Sequence, residues 1–128
     1  MAVEKTLSNP SIEVNDAAIA IVPNSLTYRT GKGNITIRSQ SAGGNSISIV
    51  KTENAETKVS MVKFKLFNTK SNVALLRDWQ DTIDGVTIRF SDGDFFESFR
   101  TMFVVTDPDI ALGADGELEI EFNGQPSL

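Results

Sequence analysis

Apolar and polar side chains alternate along much of this chain, and this period of two limits the folds that it can adopt. Residues 58–67 form the longest such run, and residues 117–122 repeat the pattern as ELEIEF. Because successive side chains of a strand point to opposite faces, each run predicts a strand with one buried and one solvated face. Shorter strand-like runs lie at residues 17–22, 26–30, 34–40, 46–51 and 86–90.

One segment follows a helical period instead. Residues 71–83 read SNVALLRDWQDTI, in which Leu76 and Ile83 fall on one helical face. Ser71 is the predicted N-cap, and Gly85 is the predicted stop signal. About eight strands and one helix, without βαβ alternation, predict a mainly β fold of the sandwich or small-barrel type. We expect residues 1–128 to form a single domain, with residues 1–10 as a flexible N-terminal arm.

A phenylalanine-rich segment fits two structures. Residues 94–105 read DFFESFRTMFVV, and residues 94–98 fit a helix or a strand equally well. From Phe99 onward the aromatic and β-branched side chains favour a strand, with Phe99 and Phe103 on one face and Met102 on the other. A strand that is apolar on both faces must be covered on both, by a second layer or a neighbouring subunit. The candidate interface residues are Phe95, Phe96, Phe99, Met102 and Phe103.

The composition disfavours several kinds of chemistry. The 128 residues include no cysteine and no histidine, which removes the thiolate and imidazole metal ligands, the cysteine nucleophile and the commonest general base. We therefore expect no enzymatic activity, no cofactor and no metal. The first ten residues lack an apolar signal core, and no apolar run is long enough to span a bilayer. We expect a soluble protein that is made in a cytoplasm.

Charge is distributed unevenly along the chain. Residues 1–70 carry nine Lys and Arg against five Asp and Glu, a balance of +4, whereas residues 71–128 carry three against twelve, a balance of −9. This asymmetry fits a mixed solvated surface, and it also fits head-to-tail self-assembly of a basic surface on an acidic one. There is no basic patch with interleaved aromatics, which disfavours specific nucleic-acid binding.

Three features could carry chemistry, and each has a simpler structural explanation. Aspartates could ligate calcium but do not match the calcium-loop spacing, so we interpret them as turn residues. The pair Glu117 and Glu119 could act as acid and base, but same-face glutamates on a strand usually form a solvated face. Gly31-Lys32-Gly33 lacks the phosphate-loop spacing and predicts a hairpin turn. The aspartates concerned are Asp92, Asp94, Asp107, Asp109 and Asp115.

Two stretches resemble the tail tube proteins of long-tailed bacteriophages, particularly those with contractile tails. Residues 25–72, SLTYRTGKGNITIRSQSAGGNSISIVKTENAETKVSMVKFKLFNTKSN, resemble the first half of that family, and the helix with Trp79 follows where the family has its helix. Residues 99–124, FRTMFVVTDPDIALGADGELEIEFNG, resemble its C-terminal end. The shared motifs are architectural rather than catalytic.

The resemblance implies a structural virion protein. Its subunits would form hexameric rings that each contribute strands to one continuous inner β-barrel, and stacked rings would form the tube through which the genome is ejected. The implied partners are other copies of the chain, the tail sheath and baseplate proteins, and double-stranded DNA that passes without specific binding. The candidate ring-stacking loops are Gln40, Ser41, Ala42, Gly43, Gly44 and Asn45, and Thr52, Glu53, Asn54, Ala55, Glu56, Thr57 and Lys58.

The acidic stripe of the last strand has two interpretations. Glu117, Glu119 and Glu121 could line the lumen, where sixfold repetition would give a ring of negative charge that repels DNA. They could instead pair with Lys63 and Lys65 across neighbouring strands on the outer surface.

Two other functions remain open at this stage. One is a β-sandwich binding module of a virion, from a baseplate or for a receptor or carbohydrate, although a single Trp and a single Tyr offer few stacking platforms. The other is a small carboxylate hydrolase, which the lack of histidine disfavours.

Overall fold

The computed structural model describes residues 10–41, 44, 47–54, 58–111 and 116–125. These residues form nine strands and one helix. In chain order they are β1 Ser11–Val14, β2 Ala17–Ile19, β3 Thr27–Arg29, β4 Ile35–Ser41, β5 Ile47–Glu53, β6 Ser60–Phe67, α1 Lys70–Gln80, β7 Val86–Asp92, β8 Phe95–Val104 and β9 Glu117–Gly124. The expected N-terminal arm, residues 1–10, lies outside the described residues except for Pro10.

Seven strands form one antiparallel sheet in the order β2-β1-β7-β8-β9-β6-β3, while β4 and β5 form a separate two-stranded sheet. The prediction of a mainly β, barrel-like fold with one helix is confirmed. Strand β1 was not predicted from the sequence, and it is joined to β2 by Asn15 and Asp16. Both residues have positive φ, 52° and 66°, as a type I′ hairpin loop requires.

One face of the seven-stranded sheet, the inner face, carries the hydrophobic core. Apolar side chains of β6 lie there directly opposite those of β9, as the alternation predicts. The helix covers this part of the face, because the Trp79 ring lies 6.2 Å from that of Phe64 and 5.5 Å from that of Phe122. The buried core comprises Ile12, Val14, Val62, Phe64, Leu66, Leu76, Trp79, Val86, Ile88, Phe90, Phe99, Met102, Leu118, Ile120 and Phe122.

The seven-stranded sheet is strongly curled. Three strands separate β3 from β7, so a flat sheet would hold them about 19 Å apart at the usual strand spacing. Yet Tyr28 of β3 lies with its ring centroid 4.8 Å from Phe90 of β7 and 6.0 Å from Phe99 of β8. The inner face therefore closes on itself through this aromatic cluster, which gives the sheet its barrel-like form.

The helix is shorter than the predicted span of residues 71–83. Its N-cap is Thr69, whose hydroxyl accepts a hydrogen bond from the Asn72 amide at 3.2 Å, so the prediction of Ser71 as N-cap is wrong. The C-cap is Asp81, and Ile83 beyond it is 90% exposed, outside the apolar stripe. Gly85 does not stop the helix. It takes a positive φ of 79° in the turn before β7, where a Cβ would lie 3.1 Å from the Met102 carbonyl oxygen.

The phenylalanine-rich segment forms strand β8 from Phe95 to Val104, so residues 95–98 are strand and not helix. Arg100 and Thr101 together face Thr87 of β7, because the pairing moves from Ile88 with Phe99 to Val86 with Met102. This extra residue is a β-bulge, and it shifts the alternation by one position. Phe99 and Met102 consequently share the inner face. The prediction that Phe99 and Phe103 share one face, opposite Met102, is therefore wrong.

Candidate functional site

The two-stranded sheet of β4 and β5, called the arm below, projects from the seven-stranded sheet. Its strands pair from Ile35 with Glu53 to Ser41 with Ile47, and among the described residues no pairing joins them to the seven-stranded sheet. A hydrogen bond from the Asn54 amide to the Asn34 carbonyl, 2.9 Å long, extends the pairing by one residue at the base. Two-stranded sheets are marginally stable alone in water, so an arm of this length is expected to need a partner surface.

The arm presents an apolar face to solvent. Directly opposite residues of an antiparallel pair share a face, which places Ile35, Ile37, Ile49 and Lys51 together. The three isoleucines, called the isoleucine face below, are 51%, 62% and 72% exposed. The alternation in residues 34–40 and 46–51 predicts strands with one buried face, and this prediction is wrong because nothing among the described residues covers the arm.

The predicted ring-stacking loops lie at the two ends of the arm. Gln40 and Ser41 belong to β4, and Thr52 and Glu53 belong to β5, so these four residues are strand rather than loop. At the base, Glu53 accepts a 2.8 Å hydrogen bond from Lys58 and lies 3.9 Å from Lys51. The hydrogen bond and charge of Lys58 lower the pKa of Glu53. Gly44 is an exposed turn residue and Asn54 follows β5, while Ala42, Gly43, Asn45, Ala55, Glu56 and Thr57 lie outside the described residues.

The candidate interface residues of β8 divide into two groups. Phe99 and Met102 have no exposed surface, and the Ser60 hydroxyl lies 3.2 Å from the Met102 sulfur. Their assignment to a subunit interface is therefore wrong, because the bulge turns both into the core of their own chain. A Met102→Asp substitution would bury a carboxylate there and unfold the chain rather than block assembly selectively.

The remaining three candidates keep accessible surface. Phe96 and Phe103, at 61% and 38% exposure, lie on the outer face of the sheet, opposite the core. Phe95 is half-buried in the aromatic cluster around Tyr28. Phe96 and Phe103 are therefore the two members of the predicted set that can contact a neighbouring subunit over a large part of their side chains.

The acidic stripe of β9 also lies on the outer face, where lysines of β6 partly neutralise it. Lys63 contacts Glu119 at 2.6 Å, Lys65 contacts Glu117 at 3.8 Å, and Glu121 stands directly opposite Lys63 in register. The hydrogen bond and charge of Lys63 lower the pKa of Glu119, and Glu119 in turn raises the pKa of Lys63. Three glutamates against two lysines leave this stripe much less negative than the glutamates alone.

The acidic residues considered as metal ligands or as an acid–base pair are not grouped into such a site within the described ranges. Within the described ranges, no group of three or more Asp or Glu is placed to hold a metal ion, and Asp115 lies outside them. Glu119 and Glu117 form ion pairs with Lys63 and Lys65. Trp79 is buried, as expected for a core residue. At Tyr28, the single tyrosine of the sequence, desolvation by burial, followed by the charge and hydrogen bond of Glu97, raises the phenol pKa.

A small apolar pocket opens beside the same tyrosine. It is lined by Pro10, Leu26, Tyr28, Phe90, Asp92 and Phe95, and has a volume of about 50 Å³. Pockets that bind small molecules usually measure about 300–1,000 Å³, so this one suits a single small apolar group. None of the helices in the described part of the chain is long and apolar enough to cross a membrane.

A second polar surface was not predicted. The segment 106–111 runs beside α1, because Gln80 Nε2 lies 3.4 Å from the Thr106 carbonyl oxygen and Asn68 Nδ2 donates to the Ala111 carbonyl oxygen. This brings aspartates from two distant parts of the sequence onto one side of the molecule. The charge asymmetry between the halves of the chain was the only sequence signal for it.

Comparison with known proteins adds no family assignment to these surfaces. No protein-family model matches the chain, and no curated protein matches it in sequence.

Proposed function

We propose that this chain is a structural subunit that assembles into the tail tube of a long-tailed phage, as stacked hexameric rings that conduct the genome into the host. The observation that carries the proposal is the arm: a two-stranded sheet with three exposed isoleucines and no partner among the described residues. Burying such a face in a contact between subunits would stabilise both the arm and the assembly. The resemblance of residues 25–72 and 99–124 to tail tube proteins supports the same function.

Ring formation would also remove the open edges of the seven-stranded sheet. The edge strands β2 and β3 have three residues each, and within the described part of the chain each pairs with a strand on one side only. Unpaired edges favour pairing with another chain, and closure into a barrel satisfies them. A curled sheet with its helix on the inner face leaves the outer face free to contribute to such a barrel.

The outer face is the candidate lumen lining. Its stripe of Glu117, Glu119 and Glu121 repels DNA phosphates, while Lys63 and Lys65 moderate the repulsion. A face with nearly balanced charge neither grips nor strongly excludes a polyanion that must slide past it. In this proposal the sheath and baseplate proteins bind the assembled tube, and the protein functions in the virion after synthesis in the host cytoplasm.

Electron microscopy of the concentrated protein tests the proposal directly. Hexameric rings or long tubes are the expected result. Hydrogen exchange on the same samples should show fast-exchanging amides in the arm of the single subunit and protected ones in the tube, since the arm would be ordered by its neighbour. A protein that remains monomeric at every accessible concentration would contradict the proposal and favour a virion binding module.

A further inference from the structure

The small pocket beside Tyr28 has three aromatic rings in its wall. The centroid of the Tyr28 ring lies 4.8 Å from that of Phe90 and 6.2 Å from that of Phe95, and the Phe90 and Phe95 centroids lie 6.5 Å apart. Leu26 and Pro10 complete the apolar lining. The face of an aromatic ring attracts a cation that lies within about 6 Å of the ring centroid. A cation bound at this cluster can therefore interact with more than one ring.

Two carboxylates add to this attraction. Asp92, the last residue of β7, lines the pocket directly, and Glu97 of β8 forms a hydrogen bond with Tyr28. Burial, together with the charge and hydrogen bond of Glu97, raises the pKa of Tyr28, so the phenol is protonated at neutral pH and donates to the carboxylate. A phenol polarised in this way has a more electron-rich ring, which strengthens its interaction with a cation.

The segments that form the pocket carry negative charge only. Residues 24–28 and 90–97 contain three carboxylates, of which Asp94 is the third, and no Lys or Arg. Arg29 follows Tyr28 in β3, but successive strand residues point to opposite faces, so Arg29 lies on the outer face of the sheet. The pocket thus combines an apolar wall with an excess of negative charge, as a site for an apolar cation requires.

We propose that this pocket binds a primary alkylammonium group, as found in a lysine side chain or a free alkyl amine. The alkyl stem lies against Leu26 and the rings, and the ammonium donates to Asp92, whose carboxylate has enough acceptor sites to keep its other contacts. The volume of about 50 Å³ suits a compact ammonium on a thin stem better than the wider plane of a guanidinium. This inference does not depend on the proposed self-assembly.

A charged and an uncharged probe of the same size test the proposal. n-Butylammonium chloride is the charged probe, and 1-butanol is its uncharged counterpart. Tyr28 is the single tyrosine of the sequence, so its ring resonances report on the pocket in NMR spectra of protein labelled with carbon-13 at tyrosine. At constant ionic strength, n-butylammonium should shift them saturably, with a Kd on the order of 10 mM, as expected for so small a ligand.

The comparison of the two probes decides whether charge is recognised. 1-Butanol should bind at least about threefold more weakly, because it lacks the attraction to the rings and to Asp92. Equal affinity for the two probes would overturn the proposal, since it would show a merely apolar pocket. The absence of a saturable shift at about tenfold the expected Kd would overturn it as well.

Two substitutions separate the carboxylate from the aromatic contribution. Asp92→Asn keeps the shape of the side chain and removes its charge, and Phe95→Leu keeps an apolar wall and removes one ring. Each should weaken n-butylammonium binding by about threefold or more and leave 1-butanol binding nearly unchanged. Thermal melting shows whether each variant is folded, and the probe comparison on the wild type stands without them. Unchanged n-butylammonium affinity in both folded variants would overturn the proposal.

Matched controls separate the pocket from general effects of charge and aromatic content. Asp94→Asn makes the same change of charge close to Asp92 but outside the pocket lining, and Phe96→Leu removes an exposed ring from the outer face. Both should bind n-butylammonium within about twofold of the wild type, because exposed charges are screened. A loss in Asp94→Asn as large as that in Asp92→Asn would show general attraction to an acidic surface and overturn the proposed site.

The source of the ammonium is identified by varying the protein concentration. If a lysine of a second copy fills the pocket, concentrating the protein shifts the Tyr28 resonances as n-butylammonium does, and added n-butylammonium competes with this shift. If the ligand is a free amine, the Tyr28 resonances and the affinity for n-butylammonium are independent of protein concentration. Both results support an alkylammonium site, and each assigns its source.

Discussion

Thr101 has a left-handed backbone conformation, which a β-branched side chain disfavours. It is β-branched and has a positive φ of 54° within β8, at the bulge opposite Thr87. The surroundings maintain this conformation, because Gly124 of β9 packs so closely that a Cβ there would overlap the Thr101 carbonyl oxygen. The bulge matters for the whole chain, since it places Phe99 and Met102 on the same face.

This strain predicts an unusual result for Thr101→Gly. A left-handed conformation costs a residue with a Cβ about 1–2 kcal/mol. Glycine elsewhere in a strand costs about 0.5–1 kcal/mol. The substitution should therefore stabilise the fold by about 0.5–1 kcal/mol in urea denaturation. Thr87→Gly, directly across the pair, should have the opposite sign and a similar size, and a loss of stability in both variants would show that Thr101 is unstrained.

Among the single elements, the helix has a first residue that is set by contacts with the end of β6. Thr69 accepts the capping hydrogen bond, and the Asn72 side chain donates to the Phe67 carbonyl oxygen at 2.8 Å, so both tie the helix start to the end of β6. Ser71 is already inside the first turn and caps nothing. The boundary is thus placed by where β6 ends.

The cap can be located by two alanine substitutions. Thr69→Ala should reduce the free energy of unfolding by about 1 kcal/mol, because an amide of the first turn loses its acceptor. Ser71→Ala should change it by less than about 0.5 kcal/mol, as expected for an exposed side chain without such a role. Chemical denaturation of both variants decides between the two caps, and a larger effect at Ser71 would contradict the structure.

In the whole molecule, ion pairs link the strands on the outer face of the curled sheet, while apolar packing stabilises the inner face. The contact of Lys63 with Glu119, 2.6 Å long, joins β9 to β6, the strand next to the edge strand β3. Both side chains are about half exposed, so their interaction is sensitive to salt and to pH.

The pH dependence of this pair has a definite sign. The folded pKa of Glu119 lies below its ordinary value of 4.5, so its contribution to stability is present above that pH and is lost as the pH falls through the folded pKa. The raised pKa of Lys63 keeps the contribution present below 10.5 and removes it only at higher pH. Lys63→Gln should therefore lower stability at neutral pH and have almost no effect in strong acid.

The control for this titration is Arg100→Gln. Arg100 is exposed and forms no ion pair within the described ranges, so its replacement should show no such pH dependence. Urea unfolding curves at neutral and acidic pH provide the comparison. An equal effect of Lys63→Gln at both pH values would show that the contact with Glu119 contributes nothing to stability.

The candidate assembly surfaces were predicted only in part. The arm was predicted as two connected strands, and of the predicted interface residues Phe96 and Phe103 keep the largest exposed fractions. The isoleucine face was missed, because Ile35 and Ile37 alternate with polar residues just as Val62 and Phe64 do. The approach of segment 106–111 to α1 was not predicted, because Gln80 and Asp107 are distant in sequence and become neighbours only in the folded chain.

The sequence alone predicts much of the local structure: strands where polar and apolar residues alternate, and a helix where the period changes near Leu76. These depend on backbone geometry and on neighbouring residues, which any short segment contains. Contacts between distant parts of the chain determine which alternating strands are covered, and they place the bulge at Thr101 that reverses the faces of β8. Burial depends on what packs against a strand from elsewhere in the chain, so alternating segments gave a core strand in β6 and an exposed arm in β4.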